Sequence, residues 1–188
     1  ALLLGEAQEG LALRCHVHKR IGLLKNIYFQ TKGGKLQKML VEMKVEGLLF
    51  DPRSNMYILL LREVDGTSTL PIWIGKPEAD SIALALGKVT TPRPLTHDLI
   101  RNIIDDLSVK VSRIVVTDLL ENTYYALIHL TDGKKETPVD SRPSDAVAVA
   151  LRMNAPIYVE DNILELKNSD ELDEWLKNLK PEDFGNIM

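Results

Sequence analysis

Two aspartates and an arginine stand within six residues in Asp140-Ser141-Arg142-Pro143-Ser144-Asp145, just ahead of the apolar run "AVAVAL". Carboxylates can take a proton or hold a divalent cation, and a guanidinium can clamp a phosphate through two parallel hydrogen bonds. A second stretch has the same flavour. In Pro92-Arg93-Pro94-Leu95-Thr96-His97-Asp98 an arginine again precedes a proline, and a histidine follows in what reads as the first turn of a helix. An imidazole there suits a general base or a metal ligand. Each feature also has a plainer explanation. Acidic residues at helix starts contribute about 0.3–1 kcal/mol without any chemistry. Ser144 and Thr96 are better explained as helix caps than as nucleophiles. His129 lies inside a predicted strand and carries little weight.

The elements that must position these residues come from an internal duplication. Shifted by 67 residues without gaps, 51–84 aligns with 118–151, with 10 of 34 positions identical. Each unit has the pattern of three strands and a helix: strands over 44–51, 56–63 and 69–74 with a helix over 77–88, then strands over 110–118, 123–130 and 135–140 with a helix over 144–153. Asp65-Gly66 and Asp132-Gly133 mark tight hairpins. Ala79 with Ala83, and Ala146 with Ala150, put small residues on one helix face for close packing. Between the units, Leu95, Leu99, Ile100, Ile103, Ile104 and Leu107 form an apolar stripe on a helix over 97–107, with Thr96 as its N-cap. "APIYV" (155–159) is a short buried strand, and "SDELDEWLKNL" gives a polar C-terminal helix with Leu172, Trp175, Leu176 and Leu179 on its apolar side. The expected fold is α+β: one compact domain of two pseudo-repeated βββα units, related by a pseudo-twofold, with an inserted helix and a C-terminal helix.

The duplication also sharpens the site. Glu78 aligns with Asp145, so each unit has a carboxylate in its helix's first turn. Asp140, Ser141 and Arg142 replace Trp73, Ile74 and Gly75, so the second unit is polar where the first is apolar. A requirement of the fold alone would keep the two alike.

Charge and composition narrow the function. Residues 1–38 carry +5, residues 39–159 carry −3 and residues 160–188 carry −6. Nucleic-acid binding usually leaves a broad basic footprint, which 39–159 lacks, so any such binding must rely on a local patch. The single cysteine, Cys15, allows no intrachain disulfide and fits a reducing cytoplasm. It lies near His16 and His18, but no CxxC pattern supports a zinc site. No apolar run reaches membrane-spanning length. There is no phosphate-binding glycine loop, HExxH or GxSxG. Residues 1–38 show no sustained period, whereas from Met39 "MLVEMKVEGLLF" alternates as a half-buried strand. Residues 1–38 are therefore expected to be upstream or leader sequence, 39–160 the functional domain, and 161–188 an acidic helix and tail.

"LPIWIG" (70–75), "PRPLTHDL" (92–99), "NTYYA" (122–126), "DSRPSDAVAVALR" (140–152) and "APIYV" (155–159) occur in an order and spacing that resemble the bifunctional nuclease domain family of bacteria and plants. The resemblance runs from Met39 to about Val159 and implies a compact α+β domain that hydrolyses phosphodiester bonds in DNA and RNA. It supplies no agreed catalytic residues. Its shared motif positions here are Glu78, Arg93, His97, Asp98, Asp140, Arg142 and Asp145. On that basis His97, Asp140 and Asp145 are the candidate catalytic residues, Arg93 and Arg142 the candidate phosphate clamp, and Asp140, Asp145 and Glu78 the candidate ligands of a Mg²⁺ or Mn²⁺ ion. The rival from another class is a non-catalytic module that binds nucleotide, protein or its own copies as a homo-oligomer, with the Asp/Arg cluster serving as interface ion pairs.

Overall fold

The computed structural model describes residues 39–167. The expected leader (1–38) and the expected C-terminal helix around Trp175 lie outside the described residues. The elements run β1 (Leu40–Asp51), β2 (Met56–Glu63), β3 (Thr69–Ile74), α1 (Lys76–Leu86), α2 (Thr96–Asp106), β4 (Lys110–Leu120), β5 (Thr123–Thr131), β6 (Glu136–Ser141), α3 (Pro143–Met153), β7 (Ile157–Glu160) and α4 (Asp161–Lys167). The architecture is α+β, as the sequence pattern implies.

All seven strands form one sheet in the order β3-β2-β1-β7-β4-β5-β6. β7 is the hinge of this arrangement: it pairs antiparallel with β1 and parallel with β4. Its run Ile157, Tyr158, Val159 is buried because the strand lies mid-sheet. Two runs of three antiparallel strands thus flank β7, each followed by a helix.

The correspondence of the two runs does not extend to strand register. Tyr57 pairs with Ile74, yet Ala126 pairs with Ser141, so β6 is offset by two residues from the place that the 67-residue shift gives it. Side chains alternate with period two, so this offset keeps every residue on its original face. The turns differ as well. The expected tight Asp-Gly hairpins are longer connections, over 63–68 and 132–135, with Gly133 at φ +86° and the Asp132 carboxylate accepting from the backbone of Lys134 and Lys135. The tightest hairpin is elsewhere: Leu120 pairs with Thr123, and both residues between them, Glu121 and Asn122, have positive φ.

The core lies between one sheet face and the helices. Leu59, Leu61, Leu70, Ile72, Ile114, Val116, Ala126 and Ile128 meet Ala79 and Ile82 of α1 and Ala146 to Ala150 of α3. α3 is the most enclosed helix, with Ala146, Val147, Ala148, Val149 and Ala150 all buried. It contacts both α1 and α2, and its alanines permit the close approach to α1. Pro143 supplies the fixed φ that suits its first position, and Asn154, in left-handed conformation, ends it. Ile163 and Leu164 tie α4 into the same core, an element the sequence pattern did not separate from the tail.

Two expectations for α2 need correction. Its N-cap is Leu95, not Thr96, and the cap bond comes from Asp98, whose carboxylate accepts from the Leu95 backbone at 3.0 Å. Its apolar stripe also divides: Ile104 is buried and Ile100 partly so, while Leu95, Leu99, Ile103 and Leu107 stay exposed. Among the described residues, no helix is long and apolar enough to cross a membrane.

Candidate functional site

The helices α1, α2 and α3 bring their first turns to one place. Glu78 and Ser81 come from α1, His97 from α2, and Asp145 from α3, whose N-cap residue is Arg142. Asp145 is the centre. Its Oδ1 lies 3.1 Å from His97 Nε2, and its Oδ2 accepts from Arg142 Nε at 2.7 Å. Arg142 Nη2 adds a longer bond to Oδ1 at 3.2 Å, and Nη1 reaches Glu78 Oε1 at 2.9 Å. The guanidinium therefore lies between the two carboxylates that the 67-residue shift aligns. On the far side of the imidazole, Ser81 Oγ lies 2.8 Å from Nδ1.

Burial and charge assign the protons. Burial pushes the Asp145 carboxyl up, but hydrogen bonds from Arg142 and His97 overcome it and hold the group below the usual carboxylate range. An ionised carboxylate only accepts, so His97 Nε2 must donate to it. In the neutral imidazole Nδ1 is then an acceptor, and the Ser81 hydroxyl donates to it. Both ring nitrogens are thus engaged, and both His97 and Ser81 are buried. Exposure rises outward: the side chain of His97 is 11% exposed, Asp145 28% and Arg142 66%. A ligand arriving from solvent meets Arg142 first and Asp145 next.

The remaining candidates lie elsewhere. Asp140 pairs with Leu127 across β5 and β6. Ala126 and Ile128 face the helices, so Leu127 and Asp140 point to the reverse face of the sheet. Asp140 therefore does not join His97 and Asp145. That reverse face has its own polar group, in which Arg113 pairs with Glu136 at 2.7 Å beside His129. Burial and the neighbouring Arg113 push the His129 pKa down. Arg93 is exposed in the loop before α2, and no hydrogen bond or ion pair joins its side chain to the cluster among the described residues.

The three carboxylates proposed to hold Mg²⁺ or Mn²⁺ are not brought together as one group. Asp140 is on the other face, and the Arg142 guanidinium stands between Glu78 and Asp145. Among the described residues, no three His, Cys, Asp or Glu side chains converge as a ligand group.

Two residues, bonded to His97 and Asp98, carry no prediction from the sequence. Ser81 occupies the position that aligns with Ala148, so a lone hydroxyl in a helix of small apolar residues was the available signal. Arg152 is the last residue of "DSRPSDAVAVALR". Its Nε donates to Asp98 Oδ1 at 2.7 Å, its Nη1 donates to the Ala148 carbonyl at 3.0 Å, and its side chain is only 6% exposed. The Arg152 hydrogen bond, more than the opposing effect of burial, holds the Asp98 carboxyl below its ordinary range. This second pair locks α2 to α3, and so sets where His97 meets Asp145.

An α+β protein with one seven-stranded sheet and a histidine–aspartate–arginine cluster where three helices begin is the class that the fold and site define. The profile of the bifunctional nuclease domain matches residues 59–171, and the chain belongs to that family. An uncharacterized protein of Mycobacterium tuberculosis is 46% identical over 136 residues, covering 71% of this chain and 81% of its own length. Plant relatives are more distant. Bifunctional nuclease 2 of Arabidopsis thaliana is 30% identical over 105 residues, and Bifunctional nuclease 1 of Oryza sativa subsp. japonica is 26% identical over 111. Those matches cover 54% and 57% of this chain, and about a third of each plant protein (32% and 34%).

Proposed function

We propose that this protein is a nuclease that hydrolyses phosphodiester bonds in DNA and RNA at the Asp145 cluster. The observation that carries the reading is the double hold on Asp145, by a buried histidine on one oxygen and an exposed arginine on the other. Family membership and the names of the plant relatives point the same way.

The chemistry follows from exposure and charge. Arg142 is the accessible cation and pairs with two oxygens of the scissile phosphate. Doing so releases Asp145 Oδ2. The influence that then dominates Asp145 is burial, which raises its proton affinity and makes it a better base. A water on that oxygen gives up a proton as its own oxygen attacks phosphorus; the phosphorus–oxygen bond to the leaving nucleoside breaks, and the leaving oxygen takes a proton from solvent. His97 holds Oδ1 throughout, and Ser81 holds His97. The base role expected of His97 thereby passes to Asp145, because both imidazole nitrogens are already bonded. Glu78 keeps Arg142 seated until substrate arrives. No step runs through a metal ion. We place the protein in the cytoplasm, in keeping with a chain of one cysteine.

The test is cleavage of single- and double-stranded DNA and RNA by wild type, Asp145→Asn, His97→Ala and Asp140→Ala, with Mg²⁺, with Mn²⁺ and with chelator. Loss of about 10²-fold or more in the first two variants is expected of a proton-transfer site, with Asp140→Ala cutting at the wild-type rate in every condition. Equal cutting by Asp145→Asn would remove this site from the reaction. Activity abolished by chelator would overturn the metal-free mechanism. A second reading, a non-catalytic module that associates with its own copies, is favoured by the exposed Leu95, Leu99, Ile103 and Leu107 on α2. Absence of cutting together with concentration-dependent sedimentation would support it.

A further inference from the structure

An acidic domain that acts on nucleic acid needs a local basic patch, and one lies beside the Asp145 cluster. A cleft of about 230 Å³ opens between α1, α2 and α3, lined by Leu84, Ala85, Lys88 and Val89 on one side and by Asp98, Arg101, Leu151 and Arg152 on the other. Three cations and one carboxylate line it, a local net charge of +2 within a stretch, 39–159, that is net negative. The one carboxylate is already matched, because Asp98 pairs with Arg152. Arg152 is held through Nε and Nη1 with its side chain 6% exposed, so it adds fixed positive charge to the cleft wall. Lys88 is exposed at the end of α1, and Thr90 adds a hydroxyl at the rim.

The position matters as much as the charge. Arg142 at the start of α3 reaches Glu78 at the start of α1, while Leu151 and Arg152 share the cleft with Leu84 and Ala85, so α1 and α3 run in the same direction. The cleft is therefore further along the same two helices than the cluster. Asp145 and Arg152 are seven residues apart on α3, roughly 10 Å at 1.5 Å per residue. On α2 the two sites are adjacent: His97 faces one and Asp98 the other. The volume is below that of a drug-sized pocket, roughly 300 Å³ and above, and suits one phosphate with part of its sugar. The apolar wall of Leu84, Val89 and Leu151 offers a surface for the sugar carbons.

We propose that this cleft, with Lys88, Arg101 and Arg152 as its cations, binds a backbone phosphate of the same single strand whose neighbouring phosphodiester is cut at Asp145. The identity of the ligand rests on the nuclease reading; the cleft and its charge do not. The cleft sets how a strand lies across the cluster, so it favours substrates long enough to reach from one to the other.

The experiment compares wild type with a Lys88→Glu/Arg101→Glu double variant. Both residues are on the cleft wall and Arg152 is left intact, so the half-buried Asp98 keeps its partner. Binding of a labelled, hydrolysis-resistant phosphorothioate single strand is followed by fluorescence anisotropy across a salt series, with melting by circular dichroism as the folding control. Loss of one or two phosphate contacts should weaken binding at least tenfold and lower the slope of log K against log salt by about 1–2. Unchanged affinity and slope in the folded variant, or no binding by wild type, would overturn the proposal. So would inorganic phosphate or a mononucleotide competing as well as the strand, since that marks a small-anion site. Cleavage of a dinucleotide too short to reach the cleft separates the two readings. It should be lost in His97→Ala and kept in the double variant; if no variant or wild type cuts anything, the nuclease reading fails while the anisotropy result still stands or falls alone.

Discussion

Replacing Arg142 by alanine removes the cation between two carboxylates, and its cost can be worked from the geometry. Three contacts go: 2.7 and 3.2 Å to Asp145 and 2.9 Å to Glu78. Hydrogen bonds to charged groups are worth about 1.5–3 kcal/mol each when shielded, but exposed pairs contribute only about 0.2–1 kcal/mol. The guanidinium is 66% exposed and its partners 28% and 18%, so the set should be worth about 2 kcal/mol at neutral pH. The pH dependence identifies the cause. The Asp145 pKa is depressed in the folded protein, so its contribution is complete above the ordinary aspartate pKa and is lost as pH falls through the lower folded value. In Arg142→Ala the opposing effect of burial is less compensated, and the gain from ionising Asp145 shrinks. The stability gap between wild type and variant, read by urea unfolding at pH 7, 5 and 3, should therefore be about 2 kcal/mol at pH 7 and 5 and under about 1 kcal/mol at pH 3. A gap that is the same at all three values would refute the reasoning, because it would show that the arginine acts through packing and not through the carboxylates. A gap near zero at pH 7 would show that the pairs are fully screened by solvent.

Three further outcomes are expected. Ser81→Ala should fold and slow cleavage about tenfold, while nitrogen chemical shifts show His97 still protonated at Nε2 because Asp145 fixes that tautomer; cleavage at the wild-type rate would remove Ser81 from the site. Arg152→Met strands Asp98 beside α3 and should lose about 3 kcal/mol in urea unfolding, whereas Arg152→Met with Asp98→Leu should recover all but the roughly 1 kcal/mol of the lost cap on Leu95; additive losses would contradict a paired interaction. Gly75→Ala places a Cβ 2.5 Å from Glu78 Oε2, so the flexible Glu78 carboxylate should give way at a cost under about 1 kcal/mol, detectable as a weakened Glu78–Arg142 coupling in a double-mutant cycle.

The strands and helices were legible because their signals are local. Alternation in "MLVEMKVEGLLF", the apolar runs of β2 and β5, and Pro143 before "AVAVAL" each depend on near neighbours in the chain. The meeting of Glu78, His97, Arg142 and Asp145 was partly legible, since all four stand at predicted helix starts. What failed was anything that depends on faces or register. Asp140 is two residues from Arg142, yet strand alternation turns it to the reverse face while Arg142 caps a helix. The exposure of Leu99 and Ile103 depends on how α2 lies against α3, which the Asp98–Arg152 pair fixes across 54 positions of sequence. The four-residue loop 132–135 was read as tighter than it is because Asp-Gly specifies a positive φ at glycine but not the number of residues around it.

The site exists because the two halves differ. Close-packed parallel helices place their first-turn acids side by side, and two adjacent carboxylates at α1 and α3 repel unless a cation separates them. A second unit that matched the first would have glycine at both N-cap positions and no such cation. Arginine at both would displace the Glu78 carboxylate, which even a Cβ at Gly75 meets, and so weaken its contact with Arg142. One glycine and one arginine meet both constraints, and the arginine then projects furthest into solvent. The cation that relieves a repulsion inherent in the fold is thus also the group that a phosphate encounters first. On the proposed mechanism, a phosphate that draws it away leaves behind the carboxylate already oriented by a buried histidine. On this reasoning the polar departure at 140–142 contributes through Arg142 alone, and binding of substrate and activation of the base are a single event.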